Sequence, residues 1–102
     1  MTYPESRLLQ IYREQMNPSR DPDTVTLIRW ADRIETMAHF NVARRWWNYE
    51  QASTLADEVR ELMLRWRREM TAWVVETPQP DGTEITRHVL APTYEIAKQL
   101  SE

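Results

Sequence analysis

A single glycine, Gly82, serves a chain of 102 residues. Loops that cradle phosphates and turns that hold dinucleotides need several glycines, because their backbone must take positive φ or approach a ligand closely. A nucleophile elbow of the G-x-S-x-G type fails for the same reason. Most nucleotide-dependent and hydrolase architectures are thereby excluded. What remains is a small, mostly helical fold. The length argues for one domain over 1–102, burying roughly 60–70% of its unfolded surface. Hydrophobic residues make up 41% of the chain, an ordinary globular value, so the chain is expected to fold.

Periodicity places the elements. Leu8, Ile11, Tyr12 and Met16 share one helical face, predicting a helix near 4–16, with Pro4 in its first turn and Asn17-Pro18 as its stop. A polar, proline-marked linker follows over 17–22. Asp23 or Thr24 caps a second helix near 24–39, whose stripe is Leu27, Ala31, Ile34 and Ala38. That pattern either continues through Trp47 or breaks at Phe40, Asn41 and Val42; the break is favoured, leaving a short helix near 41–50. Thr54 and Asp57 resemble a capping box, opening a helix near 54–71. Its seam is Leu55, Val59, Leu62, Trp66, Met70 and Trp73, which serves as a domain core or as a helix–helix dimer interface.

The period changes after Thr71. Trp73 to Thr77 and Thr83 to Leu90 are β-prone, and the residues from Pro78 to Gly82 are turn chemistry. A hairpin is expected near 73–90, with Gly82 supplying the positive φ that closes it. Ala91-Pro92-Thr93 then leads into a short helix near 93–101, with Tyr94, Ala97 and Leu100 facing inward. The expected fold class is α+β and predominantly α: a small bundle of three to four helices, a C-terminal β-hairpin and a short terminal helix.

Net charge is −3, and it is segregated. Residues 1–28 sum to −1, residues 29–75 to +1 and residues 76–102 to −3. The acidic tail discourages nonspecific binding to polyanions. The chain has no cysteine, hence no disulfide framework and no thiolate metal site. Its first residues lack the order of a signal peptide, and its longest apolar run, Ala72 to Val75, is far short of a membrane span. A cytoplasmic protein without membrane contact is expected.

Arginine and tryptophan meet three times, at Arg29-Trp30, at Arg44-Arg45-Trp46-Trp47 and at Arg65-Trp66-Arg67-Arg68. These are the residue types most enriched in binding hot spots, since they combine a large rigid contact with a planar donor fork. Trp66 and Trp73 lie on the apolar seam and are expected to build the core; Trp30 is assigned to neither role. Trp46 and Trp47 are neighbours pointing about 100° apart on a helix, so one of them is left for a second surface. Arg44, Arg45, Trp46, Trp47 and Tyr49 are therefore the candidate partner-binding residues, for another protein or for a second copy in a homodimer.

Two further chemistries are weighed against this. A helix over 41–50, a turn, a helix over 54–70 and a hairpin have the order of a winged helix-turn-helix, the alternative reading as a nucleic-acid-binding regulator. The first turns of its second helix carry Asp57, Glu58 and Glu61 against Arg60, and the hairpin tip is without a basic residue, so the electrostatic attraction is missing. Asp32 with Glu35, and Glu58 with Glu61, have a spacing that suits oxygen ligation of Mg²⁺. Solvated helix faces with Arg33 and Arg60 as counter-charges account for both pairs. His39 and His88 lack an acid or nucleophile at motif spacing. No catalytic residue, metal site, cofactor or small-molecule substrate is assigned. The sequence points instead to a non-enzymatic protein-interaction module. A small acidic chain of this kind suits an accessory or regulatory protein of a phage or mobile element.

Overall fold

The computed structural model describes residues 2–39 and 49–102, with the side chains of 37–39 and 49–53 outside that description. The described elements are α1 (Tyr3–Met16), α2 (Thr24–His39), α3 (Tyr49–Glu69), β1 (Thr71–Pro78), β2 (Glu84–Ala91) and α4 (Tyr94–Leu100). The class is α+β and predominantly α, with a C-terminal hairpin and a short last helix. Contacts cluster into two compact units, residues 1–66 and residues 67–102. Among the described residues, no helix is long and apolar enough to cross a membrane.

In the first unit, α1 begins with Pro4 in its first turn, where a missing N–H costs nothing. It ends at Asn17, which takes the left-handed conformation (φ 45°) and returns its N–H to the Arg13 carbonyl at 3.0 Å. Asp23 caps α2: its carboxylate accepts from the Thr26 N–H at 2.7 Å while its carbonyl accepts from Leu27. Each of these three helices buries apolar side chains: Leu8 and Ile11 of α1, Leu27, Ala31 and Ile34 of α2, and Val59, Leu62, Met63 and Trp66 of α3. Arg7 Nε donates to Glu58 Oε1 at 2.7 Å, tying α1 to α3.

The buried stripe differs in detail from the pattern read in the sequence. Met16, placed on the inner face of α1, is 53% exposed, while Leu9 is buried. Met16 sits in the last turn, on the open edge of a hollow shared with α2. Thr54 is not a helix cap, because α3 runs unbroken from Tyr49; Asp57 pairs instead with Arg60 at 3.2 Å. The inner face of α3 is centred on Ala56, Val59 and Met63, with Leu55 only half-buried. Helix α3 stops at Glu69, so Trp73 is a strand residue and does not continue the helical seam. The aromatic and β-branched run Trp73-Val74-Val75 would lose side-chain freedom against a preceding helical turn, whereas a pleated strand accommodates it.

In the second unit, β1 and β2 pair antiparallel from Thr71 opposite Ala91 to Pro78 opposite Glu84. Gly82 takes φ +87°, and Gln79 and Thr83 close the loop. The Asp81 carboxylate accepts from the Thr83 N–H and hydroxyl, which holds its pKa below the ordinary value. Strand alternation separates two faces. The inner face presents Trp73, Val75, Val89 and Ala91 to Ala97, Ile96 and Leu100 of α4. The outer face carries Ala72, Val74, Glu76 and Pro78 beside Glu84, Thr86, His88 and Leu90, all exposed. Thr93 caps α4 by accepting from the Ile96 N–H. Ala97 is fully buried, Leu100 is half-buried, and Tyr94 lies more open than expected, edge-on to Trp73 with ring centroids 6.0 Å apart.

Candidate functional site

Helix α1 sets Tyr12 and Met16 one turn apart, and α2 sets Thr26, Arg29, Trp30 and Arg33 on the facing wall; together they enclose an open cleft of about 350 Å³. At its floor the Tyr12 and Trp30 rings meet edge to face, 5.2 Å between centroids and 81° between planes. This arrangement sets the positive edge of one ring against the negative face of the other. Both rings are half-buried, so each keeps part of its surface open to solvent. Arg29 and Arg33 stand on the exposed rim one helical turn apart, and the open Met16 side chain adds a flexible apolar lip.

A second hollow of about 500 Å³ adjoins the first through Tyr12 and Thr26, and is also lined by Arg20, Asp21, Pro22 and Asp23. Its acids are already engaged. Arg13 binds Asp21 with both Nε and Nη2, and this hydrogen-bonded pairing holds the carboxyl below its usual pKa. Hydrogen bonds from Thr26 do the same for Asp23, with a smaller contribution from the Arg29 charge. Among the described residues, Arg20 and Arg33 make no ion pair. The cleft therefore offers aromatic surface beside guanidinium groups, with more uncompensated positive charge at the Arg33 end than at the Asp23 end. It presents no nucleophile–base pair; what it can do is bury an apolar anchor while its donors meet carboxylates.

Arg44, Arg45, Trp46 and Trp47 lie outside the described residues; Tyr49 opens α3, and its side chain is likewise outside the description. Trp66 is buried with the helical core, whereas Trp73 is half-buried, and its Nε1–H donates to the Ala91 carbonyl at 3.0 Å. Sequence reasoning missed the joining of Tyr12 to Trp30. Arg29 before Trp30 and Arg33 three residues after it mark that side of α2 as polar, but nothing in the two helices read separately pairs Trp30 with Tyr12. Of the carboxylates whose spacing suits Mg²⁺, Glu58 pairs with Arg7 and Glu61 with Arg65. Among the described residues, no group of three or more potential metal ligands converges. Comparison with family models, curated proteins and solved structures returned no match.

Proposed function

We propose that this chain is a non-enzymatic protein-interaction module that docks through arginine–tryptophan surfaces. The observation that carries the reading is the α1–α2 cleft, where Tyr12 and Trp30 offer a shared aromatic floor and Arg29 and Arg33 a cationic rim. Aromatic and arginine anchors of this type supply most of the affinity in protein interfaces, often about 2 kcal/mol or more each. The same residue chemistry recurs at Arg44, Arg45, Trp46, Trp47 and Tyr49, which the proposal takes as a second part of the contact surface. The proposal includes a cytoplasmic setting as an accessory or regulatory protein of a phage or mobile element; small size and acidic composition support it.

The nucleic-acid reading has weaker support. Residues 51–53, where a helix-turn-helix would need its turn, are helical within α3, and the hairpin tip carries Glu76, Asp81 and Glu84. Such a tip repels phosphate backbones.

The test is an array of short peptides combining carboxylates with a proline or an aromatic residue, probed with the wild-type protein and with Arg33→Glu. Binding by wild type and a loss of about tenfold or more in the variant, at unchanged far-UV circular dichroism, supports the reading. No bound peptide, or equal binding by both proteins, overturns it. For the second surface, Trp46→Ala/Trp47→Ala should weaken association without unfolding the chain. Collapse of the fold would make that pair core residues and remove it from the proposal.

A further inference from the structure

We infer that the cleft between α1 and α2 receives the β1–β2 turn of a second copy of this chain, an inference that rests on the docking reading above. Charge complementarity is the first argument. Residues 76–102 sum to −3, and the hairpin concentrates acids at its far end, whereas Arg29 and Arg33 rim the cleft and Arg20 lines its neighbour. Asp81 turns back onto Thr83 within its own loop, so the carboxylates that count are Glu76 and Glu84.

Spacing is the second argument. The register puts Glu76 opposite Thr86 and Glu84 opposite Pro78, so both acids stand on the outer face, diagonally across the ladder. Diagonal neighbours on one face of an antiparallel pair lie about 7–8 Å apart. Side chains four apart on a helix, as Arg29 and Arg33 are, have Cβ atoms about 5–6 Å apart. Two long arginines span that difference, so two carboxylates reach the Arg29–Arg33 rim together, with Arg33 as the cation that makes no ion pair among the described residues. Arg33 is the stronger anchor, because Asp23 already acts on Arg29, and Glu84, the acid nearer the turn, is taken as its partner.

Apolar fit is the third argument. Pro78 lies on the same face as the two acids and Pro80 follows in the turn, both exposed. Proline rings pack flat on aromatic side chains, and their restricted backbone loses little freedom on binding. Tyr12 and Trp30 supply such rings beside the arginines. A reciprocal exchange, each tip in the other copy's cleft, closes into a dimer with two such contacts; a one-way exchange leaves open chains.

Sedimentation velocity from about 1 µM to 1 mM, at low and high salt, tests this on the full chain. Wild type should self-associate at the upper concentrations and lose that association at 1 M salt, where the Debye length shrinks to about 3 Å. Arg33→Glu and Glu84→Arg should each weaken association about tenfold or more, and the two reversals combined should restore most of it. A wild type that stays monomeric throughout, indifference to both reversals, or a double variant as weak as the singles would each overturn the inference. A monomeric wild type that still binds acidic peptides leaves the docking reading standing; failure of both experiments brings down both.

Discussion

In residues 1–66, three helices sink long side chains such as Leu8, Ile11, Val59 and Met63 out of water, whereas residues 67–102 fully bury only Val75, Ala91 and Ala97. The first unit is stabilised chiefly by apolar burial, at roughly 25 cal/mol per Å². A two-stranded hairpin is marginal by itself. The second unit therefore leans on individual polar ties: Trp73 to the Ala91 carbonyl, Arg87 to the Ser101 carbonyl at 2.9 Å, and the Asp81–Thr83 turn. The difference shows where the molecule tolerates change. Rim residues of the α1–α2 cleft can be altered without touching the buried set beneath them, so docking and folding are separable in the first unit. In the second unit the inner face of the hairpin serves the local fold, while its outer face is exposed.

Leu8→Ala should break this contrast most strongly. Leu8 is completely buried, and its truncation should cost about 2–5 kcal/mol, read by denaturant unfolding with far-UV circular dichroism. A cost under 1 kcal/mol would mean that burial in α1 is not what holds the first unit. Val75→Ala removes the largest fully buried side chain of the hairpin, for about 2 kcal/mol. Amide hydrogen exchange should then speed up across β1 and β2 while α1 and α2 keep their protection. Uniform acceleration in both units would merge the two regions into one cooperative block.

Gly82→Ala sharpens the comparison further. A Cβ at Gly82 meets nothing within 4 Å, so the whole cost is that of φ +87°, about 1–2 kcal/mol, confined to the hairpin. Acid should have the smallest effect. Asp21, Asp23 and Asp81 have lowered pKa values in the folded chain, chiefly through hydrogen bonds to Arg13, Thr26 and Thr83. Groups with depressed folded values stabilise above the unfolded carboxylate value, near 3.8, and lose that contribution as pH falls through the folded ones. Stability should thus be flat from neutral pH to about pH 5 and decline below 4. In Asp81→Asn the acid-dependent loss in the hairpin should shrink, while that of the helical unit should remain.

Much of the backbone was legible in the residues. Asn17-Pro18 ends α1 because asparagine tolerates the left-handed conformation and proline prevents continuation. Gly82 was marked as the residue with positive φ, and Thr93 as the start of the last helix. Helical phase was harder to read, as Met16 and Leu9 show, since a broad apolar stripe does not say which neighbours will cover its edges. Thr54 misled because a cap motif is local, and a helix already begun at Tyr49 overrides it. The cleft was least legible of all. It depends on the approach of two helices that place Tyr12 on Trp30, and the period of each helix taken separately carries no such information.

The most direct test of the docking surface is an NMR titration that follows the tryptophan indole N–H signals as a synthetic peptide of residues 75–86 is added. The Trp30 signal should move progressively to saturation while those of Trp66, in the helical core, and Trp73, bonded to Ala91, stay in place. A Trp30 signal that never moves, or equal movement of all three, would contradict a docking site between α1 and α2.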